Sequence, residues 1–236
     1  AVSATSRASK AASYKRIPGA NDRISIGIIG CCSRGRKAHM TGVNNHALSQ
    51  NVEITAVCDP YRIHREEAAA LVKEWHNVEA QQFISYRDLL DNADIDAVMI
   101  ASCDHQHTAH LKAAAEAGKD VYVEKPLAMQ MDRLIAAVDT VKEAGIVAQI
   151  GTQLRSMSTF TGCKKLYESG IFGTVSRFEQ IRNAERPYWY SYINKEIKKQ
   201  DVAWTEFLMD KPYRPFDPVP VSYTHLTLPT KVSVLI

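Results

Sequence analysis

The 236-residue sequence contains no long apolar run, no strong charge excess and no paired cysteine motif. A membrane-spanning helix needs about 18–20 consecutive apolar residues, and because no stretch approaches that length we expect no membrane span. The formal net charge is only +3, and no basic cluster is interleaved with aromatic residues. We therefore expect no nucleic-acid partner, and the mixture of Lys with Glu indicates solvated helix faces.

The cysteines are odd in number and form no C-x-x-C pair, so they indicate neither a disulfide framework nor a zinc knuckle. One closes a strand-like run, and three lie in predicted loops between strands and helices. We predict that most of them serve as small buried hydrophobic residues; the five are Cys31, Cys32, Cys58, Cys103 and Cys163.

An apolar run near the start of the chain ends in a turn that contains two glycines. Residues 24–29 predict a parallel strand buried on both faces, because their apolar side chains barely alternate with polar ones. Gly30 and Gly35 occupy the first and third positions of a G-x-G-x-x-G phosphate-binding fingerprint, in which Cys32 replaces the middle glycine. The pattern predicts a strand, a phosphate-facing loop and a helix that begins near Arg34.

A second predicted strand, over Val52–Cys58, ends on an acidic residue, Asp59. A carboxylate at this position can accept hydrogen bonds from both ribose hydroxyls of adenosine and repels a 2′-phosphate, which favours NAD over NADP. The alternative is that Asp59 caps the helix predicted over Arg62–Trp75, since Asp-Pro commonly opens helices.

Strands and helices alternate as far as residue 150, with further strands predicted over Ala97–Ala101, Asp120–Val123 and Val147–Ile150. This order predicts an α/β fold with a doubly wound parallel sheet that binds ligands at the carboxyl ends of its strands. Beyond Gly151 the pattern changes. Val175–Arg182 alternates as strands of mixed or antiparallel sheets do, so we predict the start of a second, incomplete α+β domain. The region around Trp204–Leu208 is expected to be a long connection.

These patterns divide the chain into a dinucleotide-binding domain at 24–150 and a partial substrate domain at 151–220. Residues 1–23 are rich in Ala and Ser and are interpreted as a signal remnant with a linker, or as a disordered tail. An export signal would place the protein in the periplasm; without one it would be cytoplasmic. Val221–Thr230 reads like the translation of a transposase-type sequencing adapter, so 221–236 is interpreted as a non-native tail. The alternative is a genuine β-prone tail.

Several motifs together resemble the Gfo/Idh/MocA oxidoreductase family over about residues 24–218. The most specific is the triplet Glu124-Lys125-Pro126, which follows a G-K-x-V-x-V strand; the others are Gly30 to Gly35, Asp59, the loop Ala101–His107 and the segment Gly151–Arg155. The resemblance implies a Rossmann domain that binds NAD, with NADP disfavoured, and a sugar-like or polyol-like substrate. It also implies an exported branch of the family and a parent protein that forms homo-oligomers.

The resemblance assigns the catalytic role to Lys125, which would assist proton transfer from the hydroxyl being oxidised. A partly desolvated lysine has its pKa lowered toward a useful value. Glu124 would face the cofactor ribose or fix the lysine. The alternative interpretation of this motif is a surface Glu-Lys pair before a helix.

Other residues receive binding roles from the same resemblance. The cofactor contacts implied by it are Gly30, Cys32, Ser33, Arg34, Gly35, Asp59, Ser102, Asp104, His107 and Glu124, and the substrate contacts are Lys125, Gln153 and Arg155. Asp104 could instead be a helix N-cap. The histidines at 105, 107 and 110 lack a carboxylate or thiolate that would complete a metal site, so no metal is expected.

Two departures from the family pattern bear on activity. Cys32 must turn its side chain away from the pyrophosphate or weaken cofactor binding, and the Asp-x-x-x-His motif that supplies a second acid/base is missing. We therefore expect little or no turnover from the 236 residues alone. Two further hypotheses stay open: an NAD-dependent glycosidase, and a nucleotide-binding module or inactive fragment without catalysis.

Overall fold

A computed structural model describes residues 23–177 and 196–222, and its centre is one parallel sheet. The six strands lie in the order β3-β2-β1-β4-β5-β6, and every neighbouring pair is parallel. Their bounds are Ile24–Ile29 (β1), Val52–Cys58 (β2), Gln81–Phe83 (β3), Ala97–Ile100 (β4), Asp120–Glu124 (β5) and Ala148–Gly151 (β6). The predicted doubly wound α/β fold is confirmed.

The strands arise where apolar residues fill both faces of the sheet. In β1 every residue after Ile24 is buried, as a central parallel strand requires. The edge strand β3 is missing from the sequence predictions, because three residues with two glutamines carry no apolar run. It pairs only with β2, and an edge position tolerates such polarity.

Eight α-helices connect or follow these strands within the described residues. They are Thr41–Gln50 (α1), Arg62–His76 (α2), Tyr86–Leu90 (α3), His107–Glu116 (α4), Met131–Ala144 (α5), Ser158–Glu168 (α6), Trp204–Leu208 (α7) and Pro218–Ser222 (α8). Among the residues that the structure describes, none of these helices is long and apolar enough to cross a membrane.

The helix after β1 begins where it is predicted but has an unexpected geometry. It begins at Ser33 and includes a π-helical stretch, Gly35–Met40, before it continues as α1 through Gln50. Asn51 ends it in the left-handed conformation, at φ 51°, as short polar residues can. The wider π turn buries His39 and Met40, which places a titratable ring beside the sheet.

Two apolar clusters lie on the two faces of the sheet and fix the strands. One contains Leu89, Ile100 and Val123 with the helices that follow β3, β4 and β5. The other contains Ile28 and Val57 with Met40 of the π-helical stretch and the buried face of α2. This packing fixes the positions of the carboxyl ends of β1, β2, β4 and β5. The candidate site residues lie at or just after these ends.

The expected long connection around Trp204–Leu208 is wrong, because this segment forms α7 and packs against the sheet edge. Trp204 stacks on Phe207 with ring centroids 5.1 Å apart, and both are buried in a third cluster with Tyr61 and Cys103. The aromatic residues that break the sequence periodicity are thus anchors of a short helix. Such a helix is too short for a 3.6-residue period to be visible in the sequence.

The remaining predictions on the second domain are only partly covered by the described residues. After β6 a 3₁₀ turn, Gln153–Ser156, leads into α6, which has no buried residue. The strand predicted over Val175–Arg182 lies mostly outside the described residues, and 175–177 have no regular structure. Val221 is buried in the third cluster; residues 1–22 and 223–236 lie outside the described residues, so both tail interpretations stay predictions.

Replacing Trp204 by alanine tests whether α7 belongs to the folded core. The substitution removes the stacking on Phe207 and the hydrogen bond from Trp204 Nε1 to the Arg214 carbonyl at 2.7 Å. We expect the free energy of unfolding to fall by about 3 kcal/mol or more in urea denaturation. Tyr213→Ala is the control: that side chain is 73% exposed and should change stability by less than about 0.5 kcal/mol. Equal effects of the two substitutions would contradict the packing of α7.

Candidate cofactor-binding site

The loop after β1 approaches the loop after β4 so closely that only glycine fits at its first position. Gly30 has φ 93°, and a Cβ there would lie 2.4 Å from the Ser102 nitrogen. A Cβ on Gly35 would lie 2.2 Å from the Gly30 oxygen. Both glycines are thus required by backbone packing. This packing sets the helix that begins at Ser33 against the end of β1, with the free N–H groups of its first turn at the carboxyl edge of the sheet.

Cys32 turns its side chain into the protein. Its sulfur lies 3.4 Å from the Ala101 carbonyl oxygen, and the residue is 6% exposed. The thiol thus ties the glycine-containing loop to the end of β4. Cys31, Cys58 and Cys103 are buried as well, and burial raises the pKa of each thiol. Burial of four cysteines confirms their predicted role; Cys163 is exposed.

Asp59 lies at the end of β2 with a buried carboxylate. One carboxylate oxygen accepts a hydrogen bond from the Cys31 N–H at 2.7 Å, and the other accepts one from the Tyr61 N–H at 2.8 Å. Tyr61 is the N-cap of α2, so the interpretation of Asp59 as the helix cap is wrong. The carboxylate closes the turn before the helix and joins it to the glycine-containing loop. The Asp59 carboxylate lines a cleft with Gly30 and Ser102. Its remaining lone pairs can accept hydrogen bonds from ribose hydroxyls there.

At the end of β5, the buried Glu124 carboxylate lies beside the Arg34 guanidinium and the His39 ring. Arg34 Nε donates to Glu124 Oε1 at 2.7 Å, and His39 Nε2 lies 3.0 Å from the same oxygen. Burial alone would raise the pKa of Glu124, but the bonds and charges of His39 and Arg34 outweigh it and lower the pKa from 4.5 to about 2. Glu124 is 1% exposed. Its expected contact with the cofactor ribose stays a prediction.

The same network positions the residue next to Glu124. The other Glu124 oxygen accepts from the Lys125 backbone N–H at 3.2 Å, which favours the interpretation that Glu124 fixes the lysine. The Lys125 side chain is exposed. The described residues therefore do not bury the Lys125 amine, so the expected partial desolvation of this group does not come from them. Arg34 also donates to the Gln153 side chain, so both residues are engaged with the protein. Arg155 is exposed on the 3₁₀ turn.

His107 joins the loops after β4 and β5 from below the surface. Its Nδ1 lies 2.7 Å from the Pro126 oxygen and its Nε2 lies 3.0 Å from the Ser102 oxygen. The ring is fully buried and joins these two loops, and its expected contact with the cofactor stays a prediction. Asp104 is buried in the turn before α4, whose N-cap is Gln106. The N-cap interpretation of Asp104 is therefore wrong, and its cofactor contact stays a prediction.

The three neighbouring histidines make bonds that do not involve a metal. His105 Nε2 lies 3.2 Å from the Phe207 oxygen, and His110 Nδ1 lies 2.9 Å from Ser102 Oγ. Burial lowers the pKa of His110 to about 3, so this ring is neutral at physiological pH. Within 23–177 and 196–222, no group of three or more His, Cys, Asp or Glu side chains is placed to hold a metal ion.

The residues at the strand ends fit a dinucleotide, and two of their features carry this conclusion. The close packing at Gly30 leaves the helix N-terminus accessible to a pyrophosphate, and the buried Asp59 carboxylate lines the adjacent cleft. No sequence motif indicates His39, because its contact with Glu124 depends on the π turn. The fold and site together define a dinucleotide-binding Rossmann domain.

Comparison with known proteins gives the family. The family model of Gfo/Idh/MocA oxidoreductases, described as an oxidoreductase family with an NAD-binding Rossmann fold, matches residues 24–152. The chain belongs to this family, and the domain is of its NAD-binding type.

Individual relatives are inositol dehydrogenases. Inositol 2-dehydrogenase 3 of Saccharopolyspora erythraea is 31% identical over 76% of this chain and 50% of its own length. The NAD⁺-dependent scyllo-inositol 2-dehydrogenase of Bacillus subtilis is 34% identical over 59% of this chain and 39% of its own. The crystal structure of Lactobacillus casei scyllo-inositol dehydrogenase with NAD(H) and scyllo-inositol superposes with a TM-score of 0.58 at 25% identity, covering 64% and 42% of the two chains. The chain spans half or less of the length of these relatives.

Alanine at Gly30 tests the close approach of the two loops. The new Cβ would meet the Ser102 backbone and hold a left-handed φ, so we expect the free energy of unfolding to fall by more than about 2 kcal/mol. Gly42→Ala, in α1 with open space around the new Cβ, should instead stabilise the protein by about 0.5–1 kcal/mol. Chemical denaturation measures both, and a tolerated Gly30→Ala would contradict the described packing.

The lowered pKa of Glu124 predicts a pH-dependent contribution to stability. A carboxylate with a lowered folded-state pKa stabilises the fold fully above its unfolded value of 4.5, and that contribution is lost as the pH falls toward 2. We expect Glu124→Gln to cost about 3 kcal/mol at pH 7 and much less at pH 2.5. Unfolding free energies of both proteins across this range measure the difference. The exposed Glu116→Gln serves as control, and a pH-independent cost for Glu124→Gln would contradict the ionised pair.

Proposed function

We propose that the chain is the cofactor-binding part of an NAD-dependent dehydrogenase that oxidises a hydroxyl of a polyol or sugar. The observation that carries this proposal is the turn after β5. There the buried Glu124 holds the Lys125 backbone while the lysine side chain stays exposed beside the strand ends. A cation fixed at its base and free at its tip suits proton transfer with a bound substrate.

The strand order supports a dinucleotide laid across the sheet. Asp59 at the end of β2 would hold the adenosine ribose, and the turn from Gly30 to the helix start would hold the pyrophosphate. Since β4 and β5 continue the sheet on the other side of β1, the nicotinamide half would reach the ends of these strands, beside Lys125. NAD, when bound, supplies the hydride acceptor.

Lys125 would act on the hydroxyl proton of the substrate. A hydride leaves a carbon only as the attached hydroxyl loses its proton, and the Lys125 amine in its neutral form can accept that proton. The amine needs desolvation to reach this form readily. The substrate, the cofactor or parts of the protein beyond the described residues would supply it. Gln153 and Arg155 lie on the adjoining 3₁₀ turn and would contact substrate hydroxyls.

The substrate class is inferred from the relatives together with the polar character of this end of the cleft. Inositol dehydrogenases recur among them, and the exposed side chains after β5 and β6 include the hydrogen-bonding groups of Lys125, Gln153 and Arg155. A cyclic polyol or a sugar presents many hydroxyls that such donors and acceptors could orient.

Substitution of Lys125 by methionine tests the catalytic assignment. The experiment uses the protein encoded by the whole reading frame that contains this chain, with NAD⁺ and myo- or scyllo-inositol. We expect kcat to fall by about 100-fold or more, while NADH affinity in equilibrium titration stays within about twofold. Lys112→Met, at an exposed pair on α4, is the matched control. Unchanged turnover in Lys125→Met would contradict the role of the lysine, and absence of NADH binding would contradict the proposal as a whole.

A further inference from the structure

A segment distant in sequence from the cleft crosses between the loops after β2 and β4. We name residues 197–208 the crossing segment. The Ala203 N–H donates to the Pro60 oxygen at 2.9 Å on the β2 side. The Phe207 oxygen accepts from Gln106 Nε2 at 2.7 Å on the β4 side. The crossing segment is therefore attached at both sides of the cleft, and it forms a fixed outer wall.

This wall places a second carboxylate near Asp59. Glu206 and Phe207 line the same cavity as Asp59 and Ser102. In the proposed arrangement the adenosine ribose lies at the mouth of this cavity, because Asp59 follows β2. Two carboxylates, one from the sheet and one from the crossing segment, thus border the place where a 2′-phosphate would lie.

The crossing segment also binds Arg62 at the start of α2, which is the arginine nearest to Asp59 in sequence. Asp201 accepts from Arg62 Nη2 at 2.7 Å and from Arg62 Nε at 3.3 Å. Glu66 takes the other side of the guanidinium at 2.8 Å and 3.0 Å. An arginine in this region is what NADP-binding Rossmann domains use for the 2′-phosphate. In this protein its donors are directed to two carboxylates.

Other cations around the cleft are engaged as well. Arg65 donates to the Asp59 backbone oxygen at 2.7 Å, and Arg36 pairs with Glu67 at 2.7 Å. His64 faces Asp59 itself, with Nδ1 3.8 Å from its carboxylate. These basic side chains can therefore contact a 2′-phosphate only if they leave their acidic or carbonyl partners.

We propose that the crossing segment is a cofactor-selectivity element that acts together with Asp59. Asp201 keeps the Arg62 guanidinium from a 2′-phosphate, and Glu206 adds repulsion inside the adenosine pocket. This inference rests on the proposed dinucleotide site. It implies that replacing Asp59 alone does not produce an NADP-binding protein, because the opposite wall still carries two carboxylates.

The test uses two probes that contain only the adenosine half of the cofactor: ADP-ribose and 2′-phospho-ADP-ribose. In calorimetric titration of the 236-residue chain, we expect ADP-ribose to bind at least about tenfold more tightly than 2′-phospho-ADP-ribose. We expect Asp201→Asn to tighten 2′-phospho-ADP-ribose about fivefold and Glu206→Gln to do the same, with ADP-ribose affinity within about twofold. Adding Arg62→Ala to Asp201→Asn should remove the gain, and raised salt should shrink it.

A neighbouring charge provides the control. Asp210→Asn removes a carboxylate just beyond the crossing segment, where it pairs with Arg133, and should leave the ratio of the two affinities unchanged. The inference is overturned if Asp201→Asn and Glu206→Gln do not move that ratio, or if Asp210→Asn moves it equally. Unaltered ADP-ribose binding in each variant verifies the fold. Failure of both probes to bind the unaltered chain would contradict the dinucleotide site itself, and this inference with it.

Discussion

The close contact between the ends of β1 and β4 is the constraint on which the site depends. With no room for a Cβ at Gly30 or Gly35, the chain turns directly from strand into helix, and the helix N-terminus comes to the carboxyl edge of the sheet. A wider turn would move that N-terminus away from any bound phosphate. Cys32 satisfies the same constraint, since its thiol points to the Ala101 oxygen. The fingerprint can thus lose its middle glycine while the strand-to-helix turn is kept.

A buried charge is costly unless it is paired, and this explains the arrangement around Glu124. Arg34 comes from the helix after β1 and His39 from its π turn, so this helix and the end of β5 are joined through one carboxylate oxygen. Removing any partner would leave an uncompensated charge in the core. The network therefore connects the helix after β1 to the backbone of Lys125, and it would link cofactor binding to the proposed catalytic residue.

The sequence predicted those features that depend on local pattern. The bounds of β2, the alternation of strands and helices and the glycine turn are readable because burial on both faces leaves an unbroken apolar run. Features that depend on long-range packing were not readable. The edge strand β3 is too short and polar, α7 is stabilised by the tertiary stacking of Trp204 on Phe207, and His39 reaches Glu124 only because the helix widens. The contacts of His107 and Glu124 within the protein were not readable either, because a motif reports position and not the direction of a side chain.

The charges around the cleft are distributed in a way that matches an asymmetric ligand. Carboxylates border the proposed adenosine end, from Asp59 on the sheet and from Asp201 and Glu206 on the crossing segment, whereas the exposed Lys125 lies at the other end. A dinucleotide that carried a further phosphate on its adenosine ribose would bring negative charge to the acidic end. A dinucleotide without that phosphate brings only hydroxyls and an uncharged base to the acidic end. These groups can donate hydrogen bonds to the carboxylates. The selection of cofactor and the orientation of cofactor would then have the same electrostatic cause, and it would involve both walls of the cleft.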